Sequence, residues 1–356
     1  MKIAILTHQL GANYGGILQN WALQHVLKTF GHNPVTIKWA HEQFSWRAYF
    51  KSLLAVSYRR MNGMRLEWPH SPRWKNPDLQ GLLSFVSREI SCTNLMLLEK
   101  TPKYVRRNKF DAVIVGSDQV WRPLYIHAVE YMFLPFDGGA LKKIAYAASF
   151  GTDDWEFESA QTSECKKWLN TFNAVSVREK SAVSICTEKF GYQKAELVLD
   201  PTMLLTAHDY MRLCKSFAPD KTGYVLVYVL DYNQELDHYA TRLAKEKGLP
   251  LKVITGQIQS TDTIENWLAS FRDAKYVITD SFHGTVFSII FNRPFITFGN
   301  EGRGNARFDT LAHLFGIDKR RKGQNIDNPL KWEKINSTLQ EYRNASITFL
   351  RESLMN

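Results

Sequence analysis

The 356-residue chain predicts an α/β fold with two doubly wound, Rossmann-like domains. Three observations carry that expectation. Short apolar runs such as KIAILT (2–7), DAVIVG (111–116) and YVIT (276–279) alternate with segments of helical period, the pattern of parallel sheets flanked by helices. Several of these runs stop at polar or glycine-rich corners, as strands do at the carboxyl edge of such a sheet, where ligands bind. The alternation pauses between Asp200 and Lys221 and then restarts, and 356 residues exceed what a single core usually holds. The expected division is an N-terminal domain over 1–205, a C-terminal domain over 206–330 and a helical segment over 331–356.

In chain order, Lys2–Thr7 reads as a buried strand, followed by the loop HQLGANYGG (8–16). Ile17, Trp21, Leu23, Val26 and Leu27 give Ile17–Phe30 a helical period, with Gly31 as its C-cap. Pro34–Trp39 is the next strand. Gly11, Gly15 and Gly16 lack the G-x-G-x-x-G spacing of dinucleotide enzymes. A backbone cradle for a substrate oxygen or phosphate and a permissive turn that tucks Tyr14 inward both fit this loop.

Ser45–Lys75 differs in texture, with Arg47, Lys51, Arg59, Arg60, Arg65, Arg73 and Lys75 among six aromatic residues and Glu67 as the only acid. That mixture suits an anionic membrane surface, or a helical insertion whose aromatics pack on the parent domain. Gly81–Leu98 reads as helix. Asp111–Gly116, Lys143–Phe150, Ala174–Val177 and Glu196–Leu199 are strands. The first ends at Ser117-Asp118-Gln119, the third at Arg178-Glu179-Lys180 with a helix through Phe190, and the last at Asp200-Pro201-Thr202. The second half alternates strands (Tyr224–Leu230, Leu251–Thr255, Tyr276–Thr279, Phe295–Phe298) with helices (Gln234–Lys247, Thr263–Asp273, Thr285–Phe291). Leu330–Leu354 is charged and helical.

Composition narrows the function classes. Apolar residues at 44% and charged residues at 22% describe a globular chain. No apolar run reaches the ~18 residues of a membrane span. The first residues lack the apolar core and cleavage site of a signal peptide, so they are expected to open a cytoplasmic protein. The four cysteines are widely spaced, without the pairs of a zinc or disulfide framework. A net charge of +10 favours anionic partners. No zinc-finger, RNA-binding or basic-zipper signature points to nucleic acid.

The richest segment for chemistry is Lys275–Phe298, whose strand stops at Asp280, Ser281, Phe282, His283 and Gly284 before a helix. A helix start suits a phosphate or carboxylate, and an imidazole there can move a proton near neutral pH; a plain capping role is the simpler reading. Arg178 directly follows a strand, where its planar fork suits an anion. A surface ion pair with Glu179 or a neighbour is the plainer alternative. Arg303 and Arg307 lie in a glycine-rich stretch, Gly302–Phe308, that also reads as an ordinary solvated loop.

The ordered blocks GANYGGILQNWALQ (11–24), DAVIVGSDQVW (111–121), IAYAASFG (144–151), VSVREKSA (175–182), VLDPTML (198–204), VITDSFHGTVFSIIFNRPFI (277–296) and RFDTL (307–311) together resemble the polysaccharide pyruvyl transferase family. The resemblance implies a GT-B-like pair of domains with the active site in the cleft between them. It implies transfer of a pyruvyl unit from phosphoenolpyruvate, the co-substrate, onto two hydroxyls of a sugar in a nucleotide- or lipid-linked glycan precursor. No metal or further cofactor is implied, and the expected setting is the cytoplasm, with contact to an anionic membrane through 45–75. His283 would be the acid–base. Arg178, Ser281, Phe282, Gly284, Arg303 and Arg307 would lie on the donor side, and Asn13, Tyr14, Gly15, Ser117 and Asp118 on the acceptor side. Ser281 stands where well-studied members carry arginine, leaving Arg293, Arg303 or Arg307 to substitute. A GT-B-type glycosyltransferase using a nucleotide sugar and a non-catalytic glycan-binding or assembly protein are the rival readings.

Overall fold

The computed structural model describes residues 1–40, 77–126, 128–137, 139–231, 233–317 and 326–355, together with Ser57. Apart from Ser57, the basic, aromatic stretch Ser45–Lys75 lies outside the described residues. The first half contains β1 (Lys2–Leu6), α1 (Tyr14–Thr29), β2 (Asn33–Thr36), β3 (Trp39–Ala40), α2 (Gln80–Glu89), β4 (Met96–Leu97), α3 (Thr101–Arg107) and β5 (Ala112–Val115). It continues with β6 (Lys142–Ala148), α4 (Ser159–Leu169), β7 (Ala174–Val177), α5 (Lys180–Glu188), β8 (Glu196–Leu197) and α6 (Ala207–Leu213). Its main sheet is parallel in the order β2-β1-β5-β6-β7-β8, and β3 pairs with β4 beside it.

The second half runs β9 (Val225–Val229), α7 (Gln234–Lys247), β10 (Leu251–Thr255), α8 (Ile264–Asp273), β11 (Tyr276–Thr279), α9 (Phe282–Ile290), β12 (Phe295–Thr297) and α10 (Ala306–Phe315). Its sheet is parallel in the order β10-β9-β11-β12. The expected α/β architecture of two Rossmann-like domains is therefore the observed one.

Strand alternation explains how the two halves join. On β1, Ile3 and Ile5 face one apolar cluster while Ala4 and Leu6 face another. On β9, Leu226 and Tyr228 enter the same cluster as Ile3 and Ile5, whereas Val225 and Val227 pack under α7. Helix α1 lies in that shared core, buried on nearly every side from Tyr14 to Leu27 although it carries Gln19, Asn20 and Gln24. Tyr14 stacks on Trp267 of α8, with ring centroids 5.5 Å apart and planes 13° from parallel. Two of the buried polar residues on α1 have partners for their amides, Gln19 donating to the Thr7 hydroxyl and Gln24 to the Thr36 hydroxyl, while Asn20 accepts from Thr36 through Oδ1 and leaves its Nδ2 unpartnered among the described residues.

Several boundaries differ from expectation. Helix α1 starts at Tyr14 rather than Ile17, because the Asn13 side chain caps it by accepting from the Gly16 N–H at 3.0 Å. Helix α9 starts at Phe282 rather than Thr285, because the Ser281 hydroxyl accepts from the Gly284 N–H. His283 and Gly284 thereby join its first turn. The helix expected over Gly81–Leu98 stops at Glu89, and Cys92 then bridges to Thr36 before β4 forms. The expected strand Pro34–Trp39 breaks in two, since the Thr36 N–H turns to Ser91 and Trp39 pairs with Met96.

Helix α11 (Trp332–Met355) crosses back onto the first half. Arg343 donates to the carbonyls of Met203 (2.8 Å) and Leu205 (3.0 Å), and the Ser346 hydroxyl accepts from the Leu199 N–H. No helix among the described residues is long and apolar enough to cross a membrane. Replacing Arg343 with Ala strands two buried carbonyls, at a cost of about 2–3 kcal/mol. Urea unfolding of the variant should show that loss as a lower midpoint with an unchanged slope.

Candidate active site

The ends of β5, β7 and β11 and the start of α1 meet around one carboxylate, Asp200. Its Oδ1 accepts from the Thr202 N–H (3.0 Å) and hydroxyl (2.7 Å), and its Oδ2 accepts from Ser117 Oγ (3.1 Å) and Arg178 Nη1 (2.7 Å). Arg178 Nη2 donates to Asp118 Oδ1 at 2.8 Å. The Arg178 side chain is 1% exposed, so the surface pair with Glu179 is corrected: the guanidinium bridges two buried carboxylates instead. Glu179 turns away and accepts the N–H groups of Phe150 and Gly151.

His283 comes to this cluster from the other half. Its Nε2 lies 3.8 Å from Asp200 Oδ2 without a hydrogen bond. Its ring sits directly on Gly15, where an added Cβ would fall 2.0 Å from Nδ1. Burial is the largest influence on the imidazole and lowers its pKa; the Asp200 and Asp118 charges oppose this and Arg178 and Arg307 reinforce it. The ring is thus neutral near pH 7. Burial alone would raise Asp118, but the Arg178 guanidinium overrides it and holds the carboxyl well below the usual range. Asp200 is likewise held low, with burial outweighed by His283, Arg178 and the Thr202 donors.

Arg307 completes the charge pattern. It is 6% exposed, its Nη2 donates to the Arg303 carbonyl at 2.9 Å, and its Nε has no partner. Burial first, then the like charge of Arg178, lowers its pKa to about 10. Phe282 separates the two cations, its ring centroid 4.8 Å from the Arg178 guanidinium and 5.3 Å from that of Arg307, so cation–π attraction offsets part of their repulsion.

Above this cluster opens a cleft of about 560 Å³, lined by both halves and within the size range of small-molecule sites. The first half contributes His8, Gln9, Ala12, Asn13, Tyr14, Trp39, Asp118, Gln119 and Tyr125. The second contributes Tyr228, Leu230, Gly256, Ile258, Asp280–His283, Arg303, Arg307 and Phe308. Of the candidates from sequence, Asn13, Asp118, Ser281, Phe282, His283, Arg303 and Arg307 all reach the cleft. Tyr14 reaches it only as a 2% exposed ring.

The remaining candidates act beneath the surface. Gly15 lies under His283. Ser117 is fully buried, donating to the Ala147 carbonyl and Asp200. Gly284 is pressed against Thr279, whose hydroxyl oxygen lies 2.2 Å from where a Cβ would stand. Arg178 supports the site from below. Among the arginines that could stand in for the absent one, Arg293 binds the Arg272 carbonyl and lies off the cleft, and Arg303 is paired with Asp231 through Nε (2.6 Å) and Nη2 (3.0 Å). Among the described residues Arg293 and Arg307 each keep an unpartnered Nε, but of these two only Arg307 lines the cleft.

Sequence reasoning assigned no role to Asp200, although it ends a strand as the other corners do. Gln119 and His8 were also assigned no role although they lie in marked corners, and Tyr125 and Tyr228 had no motif to mark them. Asp280 accepts the N–H groups of Leu230 (2.7 Å) and Asp231 (3.1 Å), while burial raises its pKa. Among the described residues, no group of three His, Cys, Asp or Glu is placed to hold a metal. A smaller hollow of about 330 Å³ near Trp21 and His25 lies away from this cluster.

The Gly15–His283 contact is directly testable. Helix propensity would favour Ala over Gly at position 15 by about 1 kcal/mol. The overlap with the imidazole should outweigh this, giving a net loss of about 1–2 kcal/mol. In Gly15→Ala the displaced ring should also titrate closer to 6.5, as read from its Cε1–H resonance.

Among solved structures, UDP-GlcNAc 2-epimerase from Neisseria meningitidis bound to UDP-GlcNAc is similar to this chain, at 10% identity, 100% coverage of both chains and a TM-score of 0.51. The UDP-GlcNAc 2-epimerase of Methanocaldococcus jannaschii is similar at 12% identity, covering 97% of this chain and 93% of that one, with a TM-score of 0.50. At such identities the likeness concerns the fold alone: two Rossmann-like domains facing across a cleft. No curated protein matches the chain. The polysaccharide pyruvyl transferase family matches residues 13–302, and the blocks that meet in the cleft, from Asn13 through His283, fall within that match. The chain belongs to the polysaccharide pyruvyl transferase family.

Proposed function

We propose that this transferase moves the pyruvyl group of phosphoenolpyruvate onto two hydroxyls of a sugar, forming a cyclic ketal on a nucleotide- or lipid-linked glycan precursor. The observation that carries the reading is the pairing, in one cleft, of a neutral buried imidazole with a buried arginine whose Nε lacks a partner. A donor bearing phosphate and carboxylate groups suits Arg307 and the adjacent first turn of α9, where dipole and free N–H groups favour negative charge. Arg178 spends Nη1 and Nη2 on Asp200 and Asp118, and its buried Nε has no partner among the described residues. No metal or further cofactor is required by these steps.

His283 accepts the proton of a first sugar hydroxyl as its oxygen bonds to the central carbon of phosphoenolpyruvate. The imidazolium, stabilised by Asp200 at 3.8 Å, delivers that proton to the methylene carbon, which becomes a methyl group. The second hydroxyl then bonds to the same carbon as the C–O bond to phosphate breaks, and its proton leaves with inorganic phosphate. Positioned acid–base catalysis of this kind contributes about 10²–10⁴-fold, and stabilising the departing phosphate electrostatically adds further.

His283→Ala should lose transfer from phosphoenolpyruvate by about 10²–10⁴-fold while keeping its melting temperature within a few degrees. Arg307→Ala should weaken phosphoenolpyruvate binding by about 10–100-fold, as expected for a lost charged hydrogen bond. Calorimetry decides between donors. Heat with phosphoenolpyruvate and none with UDP- or GDP-sugars supports the proposal, whereas the reverse supports a glycosyltransferase. Unchanged turnover in His283→Ala would overturn the assigned role.

A further inference from the structure

The smaller hollow, of about 330 Å³, is lined by residues of α1, α2 and α6 and shares none of them with the cleft. We infer that it is a separate anion site, for a small phosphate-class ligand. The inference is independent of the donor and acceptor assigned to the cleft.

The lining carries cations that nothing answers. Trp21, His25 and Lys28 fall on one face of α1, at the four- and three-residue steps of a helix. Arg212, in the last turn of α6, and Lys215 just beyond it join them. Lys28, Arg212 and Lys215 are exposed, and among the described residues none of the three has an ion pair, a hydrogen bond or a ring contact. Like charges gathered around one hollow gain from an anion placed between them.

The two acids of the lining each have a local partner. Asp209 Oδ2 accepts the Thr206 N–H (2.8 Å) and hydroxyl (2.7 Å) at the start of α6. Glu89 Oε1 accepts from Arg88 Nε at 2.8 Å, a cation outside the lining. The charge left over in the hollow is therefore positive.

The floor is fixed before any ligand arrives. Trp21 is 7% exposed, with its ring centroid 5.3 Å from that of His25 and 5.7 Å from that of Tyr210. Tyr210 is held in turn by its hydroxyl, which donates to the Thr202 carbonyl at 2.7 Å, and by Phe287, edge-on at 4.9 Å. A ligand that meets such a wall orders little protein as it binds.

Size and charge together choose the ligand. The volume is at the lower end of small-molecule sites. A guanidinium fork matches phosphate oxygens in pairs, and the two ammonium groups add point charges. Inorganic diphosphate and the diphosphate end of a nucleotide share that chemistry.

The test is calorimetry with inorganic diphosphate at physiological ionic strength, in Arg307→Ala so that the cleft's open guanidinium is removed. Diphosphate should bind this variant and shift the His25 Cε1–H resonance, assigned by its loss in His25→Gln. Adding Arg212→Ala or Lys215→Ala should weaken binding about tenfold each, as for a lost charged hydrogen bond, with Arg212→Lys in between. Because these side chains are exposed, the melting temperature should not move. No diphosphate heat in Arg307→Ala, an unmoved His25 resonance, or an affinity untouched by both alanine variants overturns the site. The cations would then only answer the dipoles at the helix ends. UDP binding more tightly than diphosphate assigns a nucleotide source, and equal or weaker binding an inorganic one; either upholds the site.

Discussion

Arg178, gripped by Asp118 on one side and Asp200 on the other, is the interaction on which the rest of the cleft depends. All three groups are buried, and removing such charges from water costs several kcal/mol for each ion. An apolar replacement would pack more cheaply. Here the arrangement leaves two carboxylates with one principal guanidinium, and the residual negative charge is shared with His283 and Arg307. Asp200 thereby sits where it can steady an imidazolium, and Asp118 keeps one oxygen open to the cleft. A charge pattern that is expensive for stability is repaid in the placement of proton and anion sites.

The cluster also couples the two halves. Asp200 and Gly15 come from the first domain and His283 from the second, so the imidazole environment exists only when both are docked. The shared core beneath, with Tyr14 stacked on Trp267, holds that docking. Helix α11 adds a brace by returning from the end of the chain to the carbonyls of Met203 and Leu205, a few residues past Asp200. Positioning of the reactive groups is thus a property of the interface rather than of either domain alone, in keeping with the sub-ångström demands of catalysis.

Much of the fold was legible in the residues. Strand runs such as Lys2–Leu6 and Tyr276–Thr279 are short, apolar and bounded by polar corners, and the two sheets follow from them. The boundaries that went astray, at Tyr14 and Phe282, were set by side-chain caps from Asn13 and Ser281, which extend helices into glycine-containing corners that read as loops. Within the cleft, His283 was legible as a group at a strand-to-helix corner, and Arg307 only as a cation in a glycine-rich stretch. The role of Arg178 was not, because local sequence shows Glu179 beside it, whereas its true partners stand 60 and 22 residues away. Asp200 was silent for the same reason: its chemistry arises from neighbours brought in by tertiary contact.

The most direct measurement of the central claim is the titration of His283 by NMR in the wild type and in Asp200→Asn. Burial should place the wild-type imidazole below its ordinary 6.5, the neutral form being favoured in the dry site. Removing the Asp200 charge takes away the largest influence holding that value up, so the variant should titrate lower still. A wild-type value at or above 6.5, or an unchanged or higher value in Asp200→Asn, would contradict the account of a single electrostatic cluster governing the site.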